Sequence, residues 1–349
     1  MLTAKENLRQ TIIPGGNPDR FVNQYEGIQI LQHPFNVNSP MPAPGEEATN
    51  SWGVVNAWPE GTPGPFPMHT PDKILCPDIE HWRDYIKAPS LDFPEAEWEK
   101  FQAEWEAVDG NLAFKAPFVP SGLFEQTHNF LDMVPALMAF IDCPDEMHDL
   151  ISYLTEWELK LAETICDHLH PDALFHHDDW GSQDATFLDP GMWAEFFFEP
   201  YKTIYGYWHE RGVEFIFHHS DSYAATLVPY MIDMGMDVWQ GCMETNDVPA
   251  LVEKYKGKIA FMGNIDNKDV DFDGWTEDDC VEVANRACED VYNRTGLGGY
   301  IPCINQGNPG SVYPGTYMAL ANGIDDWNAH AFSLNKAEIA KNRVEMKPW

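Results

Sequence analysis

The sequence contains few basic residues and no long hydrophobic segment. Its 349 residues include 21 Lys and Arg against 56 Asp and Glu, a formal net charge of −35 at pH 7. Because such a surface repels phosphate backbones and anionic lipid headgroups, we expect neither nucleic acid nor a membrane surface as a partner. No run of about 18 apolar residues occurs, and the N-terminal segment MLTAKENLRQTIIPGG lacks the apolar core of a signal peptide. We therefore expect a cytoplasmic protein.

The cysteine pattern of a disulfide-stabilised protein is also absent. The seven Cys residues are an odd number and include no C-x-x-C pair, so a reducing compartment is the simpler interpretation. Hydrophobic residues nevertheless make up 44% of the chain, and 13 Trp and 20 Phe supply large apolar side chains. This composition predicts a folded chain with a sizeable core.

Five short segments each run from an apolar stretch into polar residues that bind metals or transfer protons. They are ALFHHDDWG (173–181), FIFHHSD (215–221), MDVWQGCME (236–244), IAFMGNID (259–266) and GYIPCINQG (299–307). Helical stretches separate them, and the order of strand, polar tip and helix is typical of a (β/α) barrel with its active site at the C-terminal ends of the strands. We therefore predict an enzyme with an α/β fold, a (β/α)8 TIM barrel.

The predicted elements follow this alternation. Strands are predicted over 113–120, 172–177, 213–219, 236–242, 258–263 and 298–303, and helices over 95–108, 145–170, 190–211, 222–234, 247–256, 276–295 and 315–331. Residues 1–110 are rich in Pro, Gly and Trp, which disfavours long helices there. We expect a single domain over residues 1–349, in which residues 1–110 form an N-terminal extension or cap.

Two adjacent His pairs are the richest candidate sites, His176 with His177 and His218 with His219. Successive side chains of a strand point to opposite faces, so one member of each pair should face the barrel lumen and the other the helical layer. The pattern leaves open which member faces inward. Carboxylates follow each pair and can orient an imidazole, act as an acid or base, bind a metal, or simply cap a helix; they are Asp178, Asp179 and Asp221.

Cys242 and Cys303 lie at the ends of two later predicted strands. A His with two Cys leaves the fourth position of a zinc tetrahedron open, as a catalytic zinc site requires. The alternative is two buried free thiols.

The run from Asp178 to Asp266 resembles the uroporphyrinogen decarboxylase superfamily. The segments that carry the resemblance are DDWGSQDATFLDP, EFFFEPYKTIYGYWHERG, FIFHHSD, MIDMGMDVWQG and KYKGKIAFMGNID. The resemblance extends from about Ala113 to about Asp326. It implies a (β/α) barrel and one of two activities, the decarboxylation step of haem biosynthesis or corrinoid-dependent methyl transfer.

The decarboxylase branch carries an Arg-rich segment of the MRQAGRY type near its N-terminus, which holds the carboxylates of the porphyrinogen. The corresponding region here reads NPDRFVNQYEGIQIL (17–31) and has no such segment. Decarboxylation of uroporphyrinogen is therefore not expected.

The methyltransferase branch carries H-x-C on one strand and a further Cys near the last strand as zinc ligands. Here His218 matches the His, Ser220 stands in place of the first Cys, and Cys303 matches the later Cys. Cys242 or Glu244 would then replace the missing ligand. The resemblance thus predicts a zinc ion bound by His218, Cys242 and Cys303.

Methyl transfer from an ether requires the leaving oxygen to be neutralised by a proton or a Lewis acid. We predict His177, Asp178, His219 and Asp221 as the catalytic residues. Flat rings bind against aromatic side chains, and Trp52, Trp58 and Phe66 of the N-terminal segment can cover one. The predicted substrate-binding residues are Trp52, Trp180, Asn264, Asp266 and Asn305.

The resulting hypothesis is a methyltransferase of an anaerobic O-demethylation system. It would move a methyl group from a small methylated donor to the cobalt of a separate corrinoid protein. The predicted donor is an aromatic methyl ether such as a methoxyphenol. Three alternatives stay open: a methylated amine, thiol or alcohol as donor, a lyase acting on a carboxylate, and a barrel that binds without catalysis. The sequence leaves the oligomeric state open.

Overall fold

The computed structural model of the protein describes residues 1–60, 62, 64–306 and 312–344. Within these residues, seven parallel strands form one curled sheet in which spatial order follows chain order. We number these strands β1 to β7: Ile28–Leu31, Phe114–Val119, Ala173–His177, Phe215–His219, Val238–Cys242, Ala260–Ile265 and Tyr300–Ile304. Consecutive parallel strands joined by helices give a TIM-barrel-like α/β fold, which confirms the predicted fold class.

Helices pack on the outside of the sheet, and others belong to the N-terminal segment. The α-helices are Ala4–Ile12, Pro34–Asn38, Trp82–Tyr85, Glu95–Glu106, Leu123–Leu131, Met133–Asp142, Pro144–Leu169, Pro190–Trp193, Glu199–Glu210, Val228–Asp233, Val248–Tyr255, Asn267–Val270, Glu277–Thr295, Thr316–Phe332 and Lys336–Lys341. A π-helical turn, Ala194–Phe198, lies between two of them. None of the helices in the described ranges is both long enough and apolar enough to span a membrane.

The six strands predicted from residue 113 onward are present, and so are the seven predicted helices. The predicted helix 222–234 is shorter than expected, because a 3₁₀ turn at Ala225–Leu227 precedes the α-helix Val228–Asp233. Strand β1 was not predicted. It lies within the Pro-rich N-terminal segment but pairs with β2 from Ile28 opposite Phe114 to Leu31 opposite Pro117.

The N-terminal residues also line the gap between β7 and β1. The Gly299 amide donates to the Thr11 carbonyl at 2.8 Å, and the Gln24 amide donates to the Pro302 carbonyl at 3.2 Å. These bonds satisfy one backbone group just before β7 and one within it, on the side where β7 has no neighbouring strand within the described residues. The N-terminal segment is therefore built into the barrel wall as well as lying over its mouth.

A small antiparallel sheet covers the mouth of the barrel. It consists of Glu47–Thr49, Val55–Ala57 and Phe66–Pro67. Trp52, in the turn between the first two of these strands, is buried against Phe130 and Trp157 of the barrel helices, with ring centroids 5.5 and 4.8 Å away. Aromatic packing thus holds this sheet over the C-terminal ends of the strands.

Candidate active site

A cavity of about 590 Å³ lies beneath the small sheet, where β2 and β3 end. Its aromatic side chains are Phe35, Trp52, Phe66, Phe118 and Trp157. Its polar side chains include Glu125 and Gln126, from the helix that follows β2, and His177 and Asp179, from the end of β3. The cavity thus combines an apolar wall with titratable groups at the strand ends, the location expected for chemistry in this fold.

His177 and His219 lie side by side on β3 and β4, where they are partners in the strand register. Their rings are stacked with centroids 4.6 Å apart and planes inclined by 19°. His177 Nδ1 donates to the Glu125 carboxylate at 2.8 Å, and His219 Nδ1 donates to the side-chain oxygen of Gln240. Because both Nδ1 atoms are engaged, both imidazoles present Nε2 as the free nitrogen.

Two carboxylates face these free nitrogens. His177 Nε2 lies 4.0 Å from Asp179, and His219 Nε2 lies 4.0 Å from Asp221. One ligand atom each from His177, Asp179 and His219 falls within 4.8 Å of the others. Two imidazoles and a carboxylate with an open position are a ligand set of catalytic zinc, and Glu125 and Gln240 provide the outer hydrogen bonds that orient such ligands. This cluster therefore fits a divalent metal ion.

The members of this cluster have very different pKa values, because burial and neighbouring charges affect each of them differently. Burial lowers the pKa of His177, but the carboxylates of Glu125 and Asp179 outweigh this effect and raise it to about 10. Burial and the neighbouring His177 lower the pKa of His219 to about 4. Burial raises the pKa of Asp179 and of Asp221 to about 6. In the metal-free protein, one of the two stacked imidazoles is therefore charged and the other neutral near pH 7.

His176 and His218 point the other way, into the helical layer. Tyr205 OH lies 3.1 Å from His176 Nδ1 and 2.6 Å from His218 Nδ1. His218 Nε2 bonds to the carbonyl of Asp178 at 3.0 Å. The prediction that each pair divides between lumen and helical layer is thus confirmed, and His177 and His219 are the inward members.

The described structure does not bring the predicted zinc ligands His218, Cys242 and Cys303 together. His218 has both ring nitrogens in hydrogen bonds behind the cavity, and Cys242 Sγ donates to the Trp239 carbonyl at 3.1 Å. A β-bulge between Gln240 and Cys242 interrupts the alternation of side chains on β5, so Cys242 does not follow Gln240 toward His219. Together with Cys303, these residues do not form one of the convergent ligand sets in the described structure. The buried thiols are free, and burial raises the pKa of both.

Asp178 and Trp180 also lie behind the cavity, in contrast to their predicted catalytic and substrate-binding roles. Asp178 accepts the backbone amides of Phe124 at 3.0 Å and Glu125 at 2.8 Å, the Trp180 indole at 2.8 Å, and the Tyr201 hydroxyl. Burial raises the pKa of Asp178 to about 7, and these donors limit the rise. Asp178 therefore anchors the first turn of Leu123–Leu131, the helix that carries Glu125.

The other predicted substrate-binding residues fall in two places. Trp52 lines the cavity, as predicted for a ring-covering residue. Asp266 and Asn305 bond to each other at the rim, where Asp266 also accepts the Glu244 amide at 3.0 Å. Asn264 lines a separate groove beside Arg286 and not this cavity. Gly307, the last residue of the fifth segment, lies outside the described residues.

Several residues of the cavity and of the adjoining His cluster were not predicted. Glu125 and Gln126 follow β2 in the segment VPSGLFEQ, a further strand end with polar residues beyond it that is not one of the five predicted segments. Gln240 lies two residues before Cys242, and its contact with His219 depends on the pairing of β4 with β5. Phe35, Phe118 and Trp157 come from three separate elements and share no sequence motif.

Solved structures of other proteins resemble this fold to different degrees. A methyltransferase from Methanosarcina mazei aligns over 94% of this chain and 99% of its own, with 14% identity and a TM-score of 0.64. An endo-1,4-β-xylanase from Penicillium canescens covers 69% of this chain and 82% of its own, with 11% identity and a TM-score of 0.38. An N-acetyl-D-glucosamine-6-phosphate deacetylase from Mycobacterium smegmatis covers 69% and 71%, with 12% identity and a TM-score of 0.26. Only the first similarity is close enough to support the fold.

No curated protein sequence matches the chain significantly. A family model does: the model described as uroporphyrinogen decarboxylase (URO-D) matches residues 130–317, more than half of the chain. The matched region begins in the helix after β2 and extends beyond β7, so it includes His177, Asp179 and His219. The resemblance seen in the sequence is thereby confirmed, and the protein belongs to the uroporphyrinogen decarboxylase family.

Proposed function

We propose that the protein is a methyltransferase that moves a methyl group from an aromatic methyl ether to the cobalt of a separate corrinoid protein. The observation that carries this proposal is the cluster of His177, Asp179 and His219, of which His177 and Asp179 line a cavity with an aromatic wall. The fold shared with a protein described as a methyltransferase across nearly the whole of both chains supports the same reaction class.

The charge of the cavity disfavours decarboxylation of a porphyrinogen. A substrate with several carboxylates requires cationic partners, because a buried carboxylate without one is strongly destabilised. Among the described residues that line the cavity, none is Lys or Arg. The cavity therefore suits a substrate of low charge.

The aromatic wall suits a flat ring. Trp157 contacts both Phe35 and Trp52 edge to face, with ring centroids 4.9 and 4.8 Å away. All three side chains are buried, so their positions are held by packing before a ligand enters. A rigid wall of this kind holds a methoxy ring in one orientation relative to His177, and alignment of reacting groups is a large part of the rate acceleration in transfer reactions.

His177, Asp179 and His219 would hold the metal ion. When bound, zinc supplies a Lewis acid that stabilises the negative charge developing on the leaving phenolate oxygen. Glu125 and Gln240 accept the Nδ1 protons of the two imidazoles and keep both Nε2 atoms directed at one point. The aromatic side chains exclude water from the leaving oxygen.

The methyl acceptor is a substrate that approaches from outside. A corrin ring with its side chains is larger than a cavity of about 590 Å³. The cobalt must therefore meet the methoxy group at the mouth of the cavity, on the side of the small sheet and the strand ends.

The direct test is methyl transfer with purified components. The protein is mixed with a corrinoid protein reduced to cobalt(I) and with a panel of methoxyphenols, and methylcobalt absorbance is followed. We expect methylation from at least one ether, and a loss of about a hundredfold or more in the His177→Ala variant. The matched control is His81→Ala, which removes a His from an exposed Asp78, Glu80 and His81 cluster. Carbon dioxide release from a carboxylate, with no methylation from any ether, amine or alcohol, would replace this proposal with the lyase alternative.

A further inference from the structure

The Gln240 side chain connects the inward His219 with β7. It lies opposite His219 in the register of β4 and β5, and its side-chain oxygen accepts the His219 Nδ1 proton. The nitrogen of the same amide donates to the Asn305 carbonyl at 3.3 Å. Gln240 is fully buried, so both ends of its amide depend on partners within the protein.

Cys303 and Tyr25 extend this set of hydrogen bonds. The Cys303 side chain bonds both to the Gln240 side chain and to the Tyr25 hydroxyl. Cys303 lies on β7, and Tyr25 belongs to the N-terminal residues that line the gap between β7 and β1. Both side chains are buried, and burial keeps the thiol protonated by raising its pKa. A path of hydrogen bonds thus runs from the Tyr25 hydroxyl to the imidazole of His219.

The orientation of the Gln240 amide determines which nitrogen of His219 carries the proton. Burial lowers the pKa of His219 to about 4, so the ring is neutral near pH 7 and has one N–H group. With the amide oxygen facing Nδ1, that proton is on Nδ1, and Nε2 keeps its lone pair for a metal ion. Rotation of the amide by half a turn would present its NH2 group to Nδ1 and move the ring proton to Nε2. A protonated nitrogen does not bind a metal ion, so the groups on the far side of the amide affect the metal site.

We propose that Cys303 is a positioning residue, which holds the Gln240 amide in the observed orientation and so keeps His219 Nε2 available to the metal ion. The inference deepens the proposed function, because it concerns a ligand of the metal ion on which that function depends. The amide oxygen is engaged with His219, so the nitrogen is the end that bonds to the sulfur. Without the sulfur, one N–H group of the buried amide loses its partner, and the preference for the observed orientation decreases.

The tautomer of His219 is the first test, and it requires neither metal nor substrate. Two-bond proton–nitrogen correlation spectra of the metal-free protein, labelled with nitrogen-15 histidine, identify the protonated nitrogen near pH 7.5. The His219→Asn variant assigns the signals. We expect the Nδ1–H form in the parent and in Cys303→Ser, whose hydroxyl also accepts a hydrogen bond. In Cys303→Ala, both ring nitrogens should shift toward the values of the Nε2–H form.

Two further variants support this measurement. The matched control is Cys242→Ala, which removes an equally buried thiol that donates to the Trp239 carbonyl instead, and it should leave the tautomer unchanged. Tyr25→Phe removes only the hydroxyl that bonds to Cys303, and it should shift the nitrogens in the same direction as Cys303→Ala. An unchanged tautomer in the folded forms of both Cys303→Ala and Tyr25→Phe would overturn the inference, as would an equal shift in Cys242→Ala.

Zinc affinity distinguishes positioning from ligation. Isothermal titration calorimetry with zinc should show about tenfold weaker binding in Cys303→Ala, because the orientation of His219 is then less well fixed. Binding in Cys303→Ser and in Cys242→Ala should match the parent. If Cys303 were itself a zinc ligand, both of its variants would lose the metal, since a hydroxyl does not replace a thiolate. Equal loss in Cys303→Ser and Cys303→Ala would therefore contradict the positioning role.

These measurements involve neither an ether nor a corrinoid, which separates the inference from the function on which it rests. If they give the expected results while no methoxyphenol methylates a corrinoid protein, the proposed function fails and the positioning role of Cys303 stands. If methyl transfer is observed but His219 keeps its tautomer in Cys303→Ala and in Tyr25→Phe, the function stands and the positioning role is wrong.

Discussion

Gly122 lies so close to Asp178 that a Cβ atom on the glycine would be 2.6 Å from Cβ of the aspartate. The same atom would be 2.6 Å from the Tyr201 hydroxyl. Gly122 directly precedes the helix Leu123–Leu131, and the missing side chain allows Asp178 to reach the first amides of that helix. This contact sets the position of Glu125 and, through it, of the His177 ring.

We expect Gly122→Ala to destabilise the protein by about 1 to 3 kcal/mol, because the added methyl group must displace Asp178 or Tyr201. The matched control is Gly206→Ala, in the helix Glu199–Glu210, where a new Cβ meets no atom within 4 Å. That substitution should leave stability unchanged or raise it by up to about 1 kcal/mol, since Ala has the higher helix propensity. Urea unfolding of the two variants measures both effects, and equal midpoints would show that the space at Gly122 has no role.

We expect Asp178→Asn to lower stability by about 1 to 3 kcal/mol, because an amide group cannot accept all four of the hydrogen bonds that the carboxylate accepts. Turnover of the folded variant should fall far less than in His177→Ala, since Asp178 does not line the cavity. Chemical unfolding and methyl-transfer rates of the same preparation separate the two effects. Unchanged stability with a hundredfold loss of turnover would instead give Asp178 the catalytic role that the sequence suggested.

Metal analysis tests the inward cluster. We expect about one equivalent of zinc in the parent protein after dialysis against zinc, and its loss in His177→Ala and in His219→Ala, because each substitution removes one of three ligands. Glu125→Gln should weaken zinc binding by about 10- to 100-fold, since it removes the carboxylate that orients His177. His81→Ala should retain the metal. Retention of zinc in both inward variants would place the metal elsewhere.

The pH dependence of stability tests the burial of His33. This residue is fully buried, its Nε2 donates to the Phe118 carbonyl at 3.0 Å, and burial lowers its pKa to about 4. The unfolded chain binds this proton near pH 6.5 and the folded chain only near pH 4. The contribution of His33 to the free energy of unfolding is therefore fully present above pH 6.5. It is lost as the pH falls toward 4, by up to about 3 kcal/mol.

His33→Gln should remove this part of the acid sensitivity, because its amide can still donate to Phe118 but does not take up a proton. Urea unfolding at pH 7, 6 and 5 would then show a smaller decrease for the variant than for the parent. A His330→Gln variant, at an exposed position on the helix Thr316–Phe332, is the control and should follow the parent. Parallel curves for all three proteins would contradict the prediction.

Much of the fold could be predicted from local patterns. Apolar runs that end in polar residues located β2 to β7, because each such strand is buried on both faces and changes composition where it reaches the rim. Strand β1 could not be predicted in this way. It has four residues within a Pro-rich segment, and its place in the sheet depends on pairing with β2, more than eighty residues further along the chain.

The candidate site was predicted in part. His177, His219 and Asp221 lie at the inward cluster, and Trp52 lines the cavity. The predicted zinc ligands lie apart, since His218 faces the helical layer and the bulge at Gly241 interrupts the alternation of side chains on β5 before Cys242. Glu125 was missed because its importance comes from contact with His177, 52 positions away in the sequence.

By itself, the sequence determined that each His pair divides between two faces, because adjacent side chains of any strand point in opposite directions. It also determined the acidic charge and the strand ends at which polar groups gather. Only the tertiary structure decided that His177 and His219 face inward, since the inward face is set by the register of β3 and β4 within the whole sheet. A ligand set drawn from two strands and oriented by Glu125 and Gln240 exists only when parallel pairing brings these residues together, and no local sequence pattern encodes that distance.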